Sequence, residues 1–219
     1  LNFLMSNKDY SEEYKANRDR GDAQAYVDYA LHAVISTPEQ VQALDRYISD
    51  FGITSYKFFM SFRGEEGGYL GLPPIDDGFM YDLFTELGRR PGTVLCIHSE
   101  NIEVVWRLRQ RLQESARDDL KAWSESRPNF TETEAAVRAM LFARETGCTI
   151  YIVHTSAKET LREARRFRTT YDGVFIETCP HYLTHTYDSP SGVLAKQNPP
   201  LRGLEDVDAL WDAVADRTV

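Results

Sequence analysis

Short apolar runs alternate with longer amphipathic stretches along most of the chain. The apolar or β-branched runs fall at residues 25–35, 54–60, 93–98, 149–154 and 174–179. The amphipathic stretches between them fall at residues 37–51, 76–90, 102–120, 131–146 and 156–168. Strands that alternate with helices of this length are typical of βαβ units, which build a parallel sheet. The pattern therefore predicts an α/β fold.

Capping residues predict where the helices begin and end. Thr37 followed by Pro38 is typical of a helix N-cap with proline at the first helical position. Residues 131–134 read Thr-Glu-Thr-Glu, a capping-box pattern that predicts the start of another helix. A glycine stands just before four of the predicted strands, where the preceding helix would end: Gly52, Gly92, Gly147 and Gly173.

Two architectures fit this alternation: a doubly wound sheet and part of a (β/α)8 barrel. The chain contains neither a Gly-x-Gly-x-x-Gly motif nor a Gly-x-x-x-x-Gly-Lys-Ser/Thr motif, which disfavours a nucleotide-binding sheet. No internal repeat or convincing domain boundary interrupts residues 1–219, so we treat them as one domain. The loop at residues 63–74 is rich in glycine and glutamate, and its length predicts a functional lid.

Composition narrows the classes of partner. The net charge of -9 argues against nonspecific binding to nucleic acid or to an anionic membrane, because both need clustered Lys and Arg. No apolar run approaches the roughly 20 residues that span a bilayer, and no signal peptide is visible. The three cysteines, Cys96, Cys148 and Cys179, have no Cys-x-x-Cys spacing. We expect them to be reduced core residues of a cytoplasmic protein.

Three polar residues stand where parallel strands would end. Lys57 lies inside an apolar run, and His98 and His154 each close one. Each has an ordinary structural interpretation, because a lysine can extend its ammonium to water and a single histidine often serves only packing. Reactive side chains, however, gather at the carboxyl ends of the strands in parallel α/β folds. Two histidines at matching points of successive units, with a lysine on the preceding one, therefore favour a functional site.

A buried lysine has a chemistry of its own. Burial disfavours the charged form and lowers the pKa, so that the neutral, nucleophilic amine is populated. The neutral amine of Lys57 could capture carbon dioxide as a carbamate, which would turn a cation into an oxygen ligand for metal ions. After His98, the residues Glu100 and Asn101 are expected either to support the imidazole or to cap the following helix.

An ordered series of motifs extends this interpretation to a family. The motifs are Tyr-Lys-Phe-Phe-Met at 56–60, His-Ser-Glu-Asn at 98–101, Ser-Arg-Pro at 126–128, Val-His-Thr-Ser at 153–156, Glu-Thr-Cys-Pro-His-Tyr-Leu at 177–183 and Asn-Pro-Pro-Leu-Arg at 198–202. With them the sequence resembles the amidohydrolase superfamily, and within it the cyclic-amide hydrolases: dihydropyrimidinase, hydantoinase, dihydroorotase and allantoinase. No single motif is decisive, but the ordered set is highly specific.

The resemblance implies a fold and a site. The fold would be an incomplete (β/α)8 TIM barrel that covers about strands three to seven. Lys57 would be the carboxylated lysine that bridges two divalent metal ions, zinc by expectation, which lie roughly 3.5–4 Å apart in two-metal hydrolytic sites. His98 and His154 would bind the second metal from the fifth and sixth strands. Asn198 would contact the substrate ring from the loop after the seventh strand.

The resemblance also implies residues that this sequence does not contain. The His-x-His pair of the family's first strand has no counterpart, since no two of the five histidines are two residues apart. The general-base aspartate of the eighth strand is expected beyond Val219, so the catalytic base is unknown here. We therefore expect the 219-residue chain alone to be inactive and to bind metal poorly.

The implied activity is hydrolysis of a C–N bond in a small cyclic amide or imide by a homo-oligomeric enzyme, a dimer or tetramer. The sequence favours a dihydropyrimidinase-like or hydantoinase-like enzyme, or a dihydroorotase-like one. Phe62 stands where the first two commonly have a tyrosine, whereas Asn198 is more similar to dihydroorotases. The residues around Lys57 and Arg127 favour the hydantoinase side. The alternative is a non-catalytic homologue that serves as a scaffold or regulatory subunit.

Overall fold

A single parallel sheet organises the computed structural model, which describes residues 3–69 and 71–219. Among these residues the sheet has six strands in the order β1-β2-β3-β4-β5-β6, so that each strand lies beside its neighbour in sequence. The strands are β1 Phe3–Leu4, β2 His32–Val34, β3 Ser55–Phe59, β4 Val94–His98, β5 Ile150–Ile152 and β6 Val174–Ile176.

Helices connect the strands and cover one face of the sheet. They are α1 Ser11–Gln24, α2 Pro38–Gln42, α3 Leu44–Phe51, α4 Gly64–Tyr69, α5 Asp77–Gly88, α6 Ile102–Glu114, α7 Leu120–Glu125, α8 Asn129–Thr146, α9 Lys158–Arg168, α10 Pro180–Thr184 and α11 Leu204–Ala215. A short 3₁₀ turn, Gly192–Ala195, precedes α11. In the part of the chain that the structure describes, no helix combines the length and the apolar composition needed to cross a membrane.

The strand alternation separates an apolar face from a mixed one. Tyr56 and Phe58 of β3 are paired in register with Leu95 and Ile97 of β4, and all four are buried in the core between the sheet and the helices. Because successive side chains point to opposite faces, Lys57 lies on the other, concave face of β3. The helix-covered face holds the fold together, and the concave face is available for chemistry.

The strand order decides between the two architectures that the sequence left open. A doubly wound sheet reverses its strand order at a switch point, whereas the six strands here follow one another without reversal. All five predicted strands are present, although the first is confined to His32–Val34. The structure adds β1, which pairs with β2, and α1, whose residues are all at least partly exposed. The prediction of an α/β fold with an incomplete barrel is confirmed.

The helix boundaries follow the capping signals only in part. Thr37 and Gln40 form the capping box of α2, with Pro38 in its first turn. The capping box predicted at residues 131–134 is wrong, because α8 already begins at Asn129 and the hydroxyl of Thr131 donates to the Pro128 carbonyl at 2.8 Å. The helix predicted over residues 102–120 ends at Glu114 and a separate α7 follows it.

The loop predicted as a lid contains the short helix α4, Gly64–Tyr69. Residue 70, which belongs to the same loop, lies outside the described residues. Two of the four glycines predicted to end helices, Gly52 and Gly147, adopt left-handed conformations with φ of 67° and 73° directly after α3 and α8. A residue in this conformation ends the helix and turns the chain toward the next strand.

Gly88, at the end of α5, gives a stability test of the packing between helices. A Cβ at this position would overlap the carbonyl oxygen of Thr146 and lie 3.0 Å from its carbonyl carbon. We predict that Gly88→Ala lowers the free energy of unfolding by about 1–3 kcal/mol, because backbone must move to make room. Thermal and urea unfolding measure the change. Gly68→Ala is the control, since a Cβ there meets no described atom within 4 Å; equal stability of the two variants would contradict the prediction.

Candidate active site

A cavity of about 620 Å³ opens on the concave face of the sheet, toward the carboxyl ends of the strands. All four residues that the sequence singled out, Lys57, His98, His154 and Asn198, line this one cavity. They come from β3, the end of β4, the turn after β5 and the loop before α11. The predicted convergence of the lysine and the two histidines is therefore confirmed as geometry, while their role as metal ligands stays a prediction.

Lys57 is buried in the middle of β3, with only 3% of its surface exposed. Its Nζ has no hydrogen-bond partner among the described residues and lies 4.6 Å from the centre of the Phe59 ring. Burial lowers the pKa of Lys57 to about 7. The interpretation of a lysine that extends to water is wrong for this structure, and a substantial fraction of the amine is neutral near neutral pH.

The two histidines face each other across adjacent strands. His98 Nδ1 lies 3.0 Å from His154 Nε2, and the other nitrogen of His154 is buried without a described hydrogen-bond partner. Burial, together with the nearby His98 and Lys57, lowers the pKa of His154, so that its imidazole is neutral. His154 has φ of 45°, in the left-handed region that non-glycine residues rarely adopt outside special sites. The turn after β5 thus directs this imidazole toward His98.

The donor set fits a divalent metal but is incomplete by itself. Two nitrogens bound to one tetrahedral zinc ion lie about 3.3 Å apart when each Zn–N bond is about 2.0–2.1 Å, and the imidazole nitrogens here are 3.0 Å apart. The neutral imidazole of His154 and the unpartnered amine of Lys57 are the forms that metal binding and carbamate formation require. Among the described residues, no three His, Cys, Asp or Glu side chains are grouped so that they could hold a metal ion.

Glu100 is a buried carboxylate beside His98. Its Oε2 lies 3.7 Å from His98 Nε2 and accepts a hydrogen bond of 3.2 Å from the Asn198 amide, while its Oε1 lies 3.2 Å from Arg127 Nε. Burial opposes ionisation of Glu100, but His98, Arg127 and Asn198 outweigh it and lower the pKa. Of the two roles expected for Glu100 and Asn101, each residue takes one, since Asn101 caps α6 through the Val104 N–H at 3.3 Å.

An aromatic side chain, Trp123, packs against the arginine that pairs with Glu100. The Arg127 guanidinium stacks 3.6 Å from the centre of the Trp123 ring, and Trp123 Nε1 donates to the Gln197 carbonyl at 2.7 Å. The tryptophan therefore contacts both the arginine that pairs with Glu100 and the segment that carries Asn198. Trp123 carries no sequence signal for this role, because nothing along the chain connects it with Gln197, 74 positions away.

A second buried ion pair holds the turn that carries His154. Glu132 of α8 accepts hydrogen bonds from the backbone N–H groups of Ser156 and Ala157 at 3.1 and 3.0 Å, and its Oε2 lies 3.3 Å from Arg202. Arg202 also donates to the backbone carbonyl of Arg127. The carboxylate thus caps the start of α9 from a neighbouring helix and restrains the chain two residues after His154.

Two further polar residues line the cavity. His32 is the first residue of β2 and contacts the hydroxyl of Ser55, so it lies deeper on the concave face than the ends of the strands. Glu177 follows β6 directly and was not proposed as a site residue from the sequence. Its position immediately after an apolar run was the same signal that identified His154, and it could have been found by that rule.

Known proteins resemble the chain over most of its length. No family model matches it. The chain is 36% identical to an allantoinase from Solibacter usitatus over 166 residues, 75% of this chain and 35% of the relative. It is 31% identical to an allantoinase from Deinococcus radiodurans over 202 residues, 91% of this chain and 44% of the relative. The structure of a D-hydantoinase (dihydropyrimidinase) from a Thermus species matches with a TM-score of 0.84 and 28% identity, covering 99% of this chain and 47% of that one.

The fold and the cavity define a segment of a (β/α)8 barrel with polar residues at the carboxyl ends of its strands. The chain belongs to the amidohydrolase superfamily, in its group of cyclic-amide hydrolases. It spans less than half the length of the curated relatives described above. The family predicted from the motifs is thereby confirmed.

Lys57 gives a stability test of the metal-free site. We predict that Lys57→Met raises the free energy of unfolding by about 1–3 kcal/mol, because a polar group buried without a partner costs about that much. Thermal unfolding after dialysis against a chelator measures the change. Lys158→Met is the matched control, since the side chain of Lys158 is 36% exposed and pairs with Glu205 at the surface. A lower melting temperature for Lys57→Met would show that the amine is compensated in the fold.

Proposed function

We propose that the protein hydrolyses a ring C–N bond of a small cyclic amide or imide and depends on divalent metal ions, zinc in the first instance. One observation carries the proposal: Lys57, His98 and His154 meet at one cavity, where the lysine amine has no described partner and the two imidazoles face each other at 3.0 Å. A structural role alone would leave no reason for a buried amine without a partner beside two facing imidazoles.

His98 Nδ1 and His154 Nε2 would hold one metal ion, and Lys57 in its carboxylated form would supply oxygen ligands to a metal pair. When bound, the metal ions would polarise the ring carbonyl and make water a nucleophile at neutral pH. The fold supplies the conditions for this ligand set. It keeps His154 neutral by burial, and it lowers the pKa of Lys57 far enough for the free amine to react with carbon dioxide.

The cavity walls suit a flat, polar-edged ring. Phe59 and Phe62 stack with ring centroids 4.2 Å apart and line one side, which offers a planar apolar surface. Asn198 lines the cavity with an amide that can contact the ring's own amide groups. Phe62 has no hydroxyl to donate to a developing oxyanion, so that stabilisation must come from elsewhere in the site.

Among cyclic amides we propose a hydantoin-type ring, with allantoin as the preferred substrate. Support comes from the names of the sequence relatives, which are allantoinases. Arg127, the guanidinium at the cavity, already pairs with Glu100 and is therefore poorly suited to the carboxylate of dihydroorotate. This choice narrows the cyclic-amide hydrolase activity expected from the sequence, whose resemblance included the allantoinases.

We further propose a cytoplasmic enzyme that works as a homo-oligomer, a dimer or tetramer. The support for the compartment is that Cys96, Cys148 and Cys179 are all free thiols, two of them buried. Reduced cysteines of this kind are typical of proteins kept in a reducing environment. The oligomeric state is supported only by the family resemblance.

The activity test uses the intact, zinc-loaded protein with allantoin, hydantoin, dihydrouracil and dihydroorotate. We predict the highest kcat/KM for allantoin, and a fall of several orders of magnitude in His98→Ala and His154→Ala, because each removes a ligand of the metal site. His185→Ala is the control, since its imidazole is exposed and bonds only the neighbouring Thr184 among the described residues. Absence of hydrolysis of any of these rings by a metal-loaded protein would favour the non-catalytic alternative.

Metal removal tests the state of Lys57. We predict a carboxylated Lys57 in the metal-loaded protein and an unmodified one after chelation, because an unpaired carbamate charge among apolar side chains costs several kcal/mol. Native mass spectrometry and electron density at Lys57 measure the modification. Lys158 serves as the internal control, since its side chain is 36% exposed and pairs with Glu205 at the surface, so we expect it to be unmodified in both states. A carbamate that persists without metal would show that the protein itself compensates the charge.

A further inference from the structure

Glu100 joins three segments of the chain that meet at the cavity. It contacts His98 at the end of β4, Arg127 in the connection between α7 and α8, and Asn198 in the loop before α11. Only 4% of its surface is exposed. Its partner Asn198 lies 98 residues away in sequence, so this hydrogen bond holds together two segments that are distant along the chain.

The two carboxylate oxygens are assigned to different partners. Oε1 faces the Arg127 guanidinium at 3.2 Å, and Oε2 lies between the Asn198 amide at 3.2 Å and His98 Nε2 at 3.7 Å. Since His98 Nδ1 faces His154, the nitrogen directed toward Glu100 is the opposite one. A carboxylate on that side favours a proton on Nε2 and leaves the Nδ1 lone pair directed at His154, where a metal ion would bind.

We propose that Glu100 is a positioning residue that couples the metal-binding side of the cavity, through His98, to its substrate-binding side, through Asn198. The inference rests on the proposed function, in which His98 holds metal and Asn198 contacts the ring. Glu100 acts by fixing the tautomer of His98 and the orientation of the Asn198 amide.

The contacts of Asp206 show what a structural role looks like for a buried carboxylate in this fold. Asp206 is buried to a similar degree, with 6% of its surface exposed. It accepts hydrogen bonds from the Lys158 backbone N–H at 3.0 Å and from Asn129 at 2.6 Å, and so caps α9. The partners of Asp206 belong to helices, whereas all three partners of Glu100 line the cavity, two of them as candidate metal ligand and substrate contact.

Glu100→Gln and Asp206→Asn form a matched pair of variants. Each replaces a buried carboxylate by its neutral, equally shaped amide, so both lose stability through the same kind of change. Only the first alters the partner of His98. We expect Glu100→Gln to release zinc to a competing chelator about 10–100-fold more readily than the parent protein, as changes in partners of metal-binding histidines do. Asp206→Asn is expected to lower the melting temperature but to retain zinc as the parent does.

Metal retention decides the first half of the proposal. Equal zinc retention by Glu100→Gln and the parent would overturn it, and so would an equal loss of zinc in Asp206→Asn. If Glu100→Gln does not fold, Glu100→Asp keeps the charge at a shorter reach and is expected to release zinc to an intermediate extent. Retention in Glu100→Asp equal to that of the parent would then overturn the proposal.

Coupling between the two sides is measured by a double-mutant cycle with Asn198→Ala. We expect Glu100→Gln to raise KM for the hydrolysed ring in the parent but to change it little when Asn198 is already truncated. Its effect on zinc retention should persist in both backgrounds, because that effect passes through His98. If the effects of Glu100→Gln and Asn198→Ala on KM, expressed as free energies, are additive in the double variant, the coupling is contradicted.

The two proposals fail in different experiments. Zinc retention needs no substrate, so it tests Glu100 even if none of the cyclic amides is hydrolysed and the proposed function is wrong. Conversely, hydrolysis that depends on zinc, together with unchanged zinc retention in Glu100→Gln, would support the function and refute the role of Glu100.

Discussion

The alternation of side chains across a parallel strand is the constraint on which the rest of this structure depends. On β3, β4 and β5 every second residue is apolar and packs under helices, as Tyr56, Phe58 and Ile97 do. The residues between them then face the concave side regardless of their polarity. Burial of the apolar set therefore fixes where Lys57 and His98 point, and the strand register brings them together without any direct bond between them.

Much of the fold and the core of the site could be predicted because the signals are local. The apolar runs of β3 to β6 and the polar residues that end them, His98 and His154, are visible within a few residues of sequence. Two elements could not be predicted because they give no local pattern. The strand Phe3–Leu4 is too short to show an alternation of apolar and polar residues. Helix α1 lacks the amphipathic pattern that identifies a helix, because it buries no residue.

The polar contacts behind the site were equally hidden, for a different reason. Glu100 and Asn198 are 98 residues apart, and Glu132 and Arg202 are 70 apart, so no window of sequence pairs them. Buried charges such as those of Glu100, Glu132 and Arg202 are costly unless each meets a partner, and loss of one partner of a buried ion pair typically costs about 3–5 kcal/mol. Both contacts join segments that also carry site residues. These long-range polar contacts thus link loops of the fold that are distant in sequence.

Trp123 has a consequence beyond packing. Two cations lie against its ring, with the Arg127 guanidinium 3.6 Å and the Lys196 ammonium 4.1 Å from the ring centre, and its N–H donates a hydrogen bond to the Gln197 carbonyl beside Asn198. The brightness and emission wavelength of an indole depend on such neighbours. The chain has only three tryptophans, and the other two lie on α6 and α11. The protein therefore carries an intrinsic fluorophore in contact with the segment that brings Asn198 to the cavity.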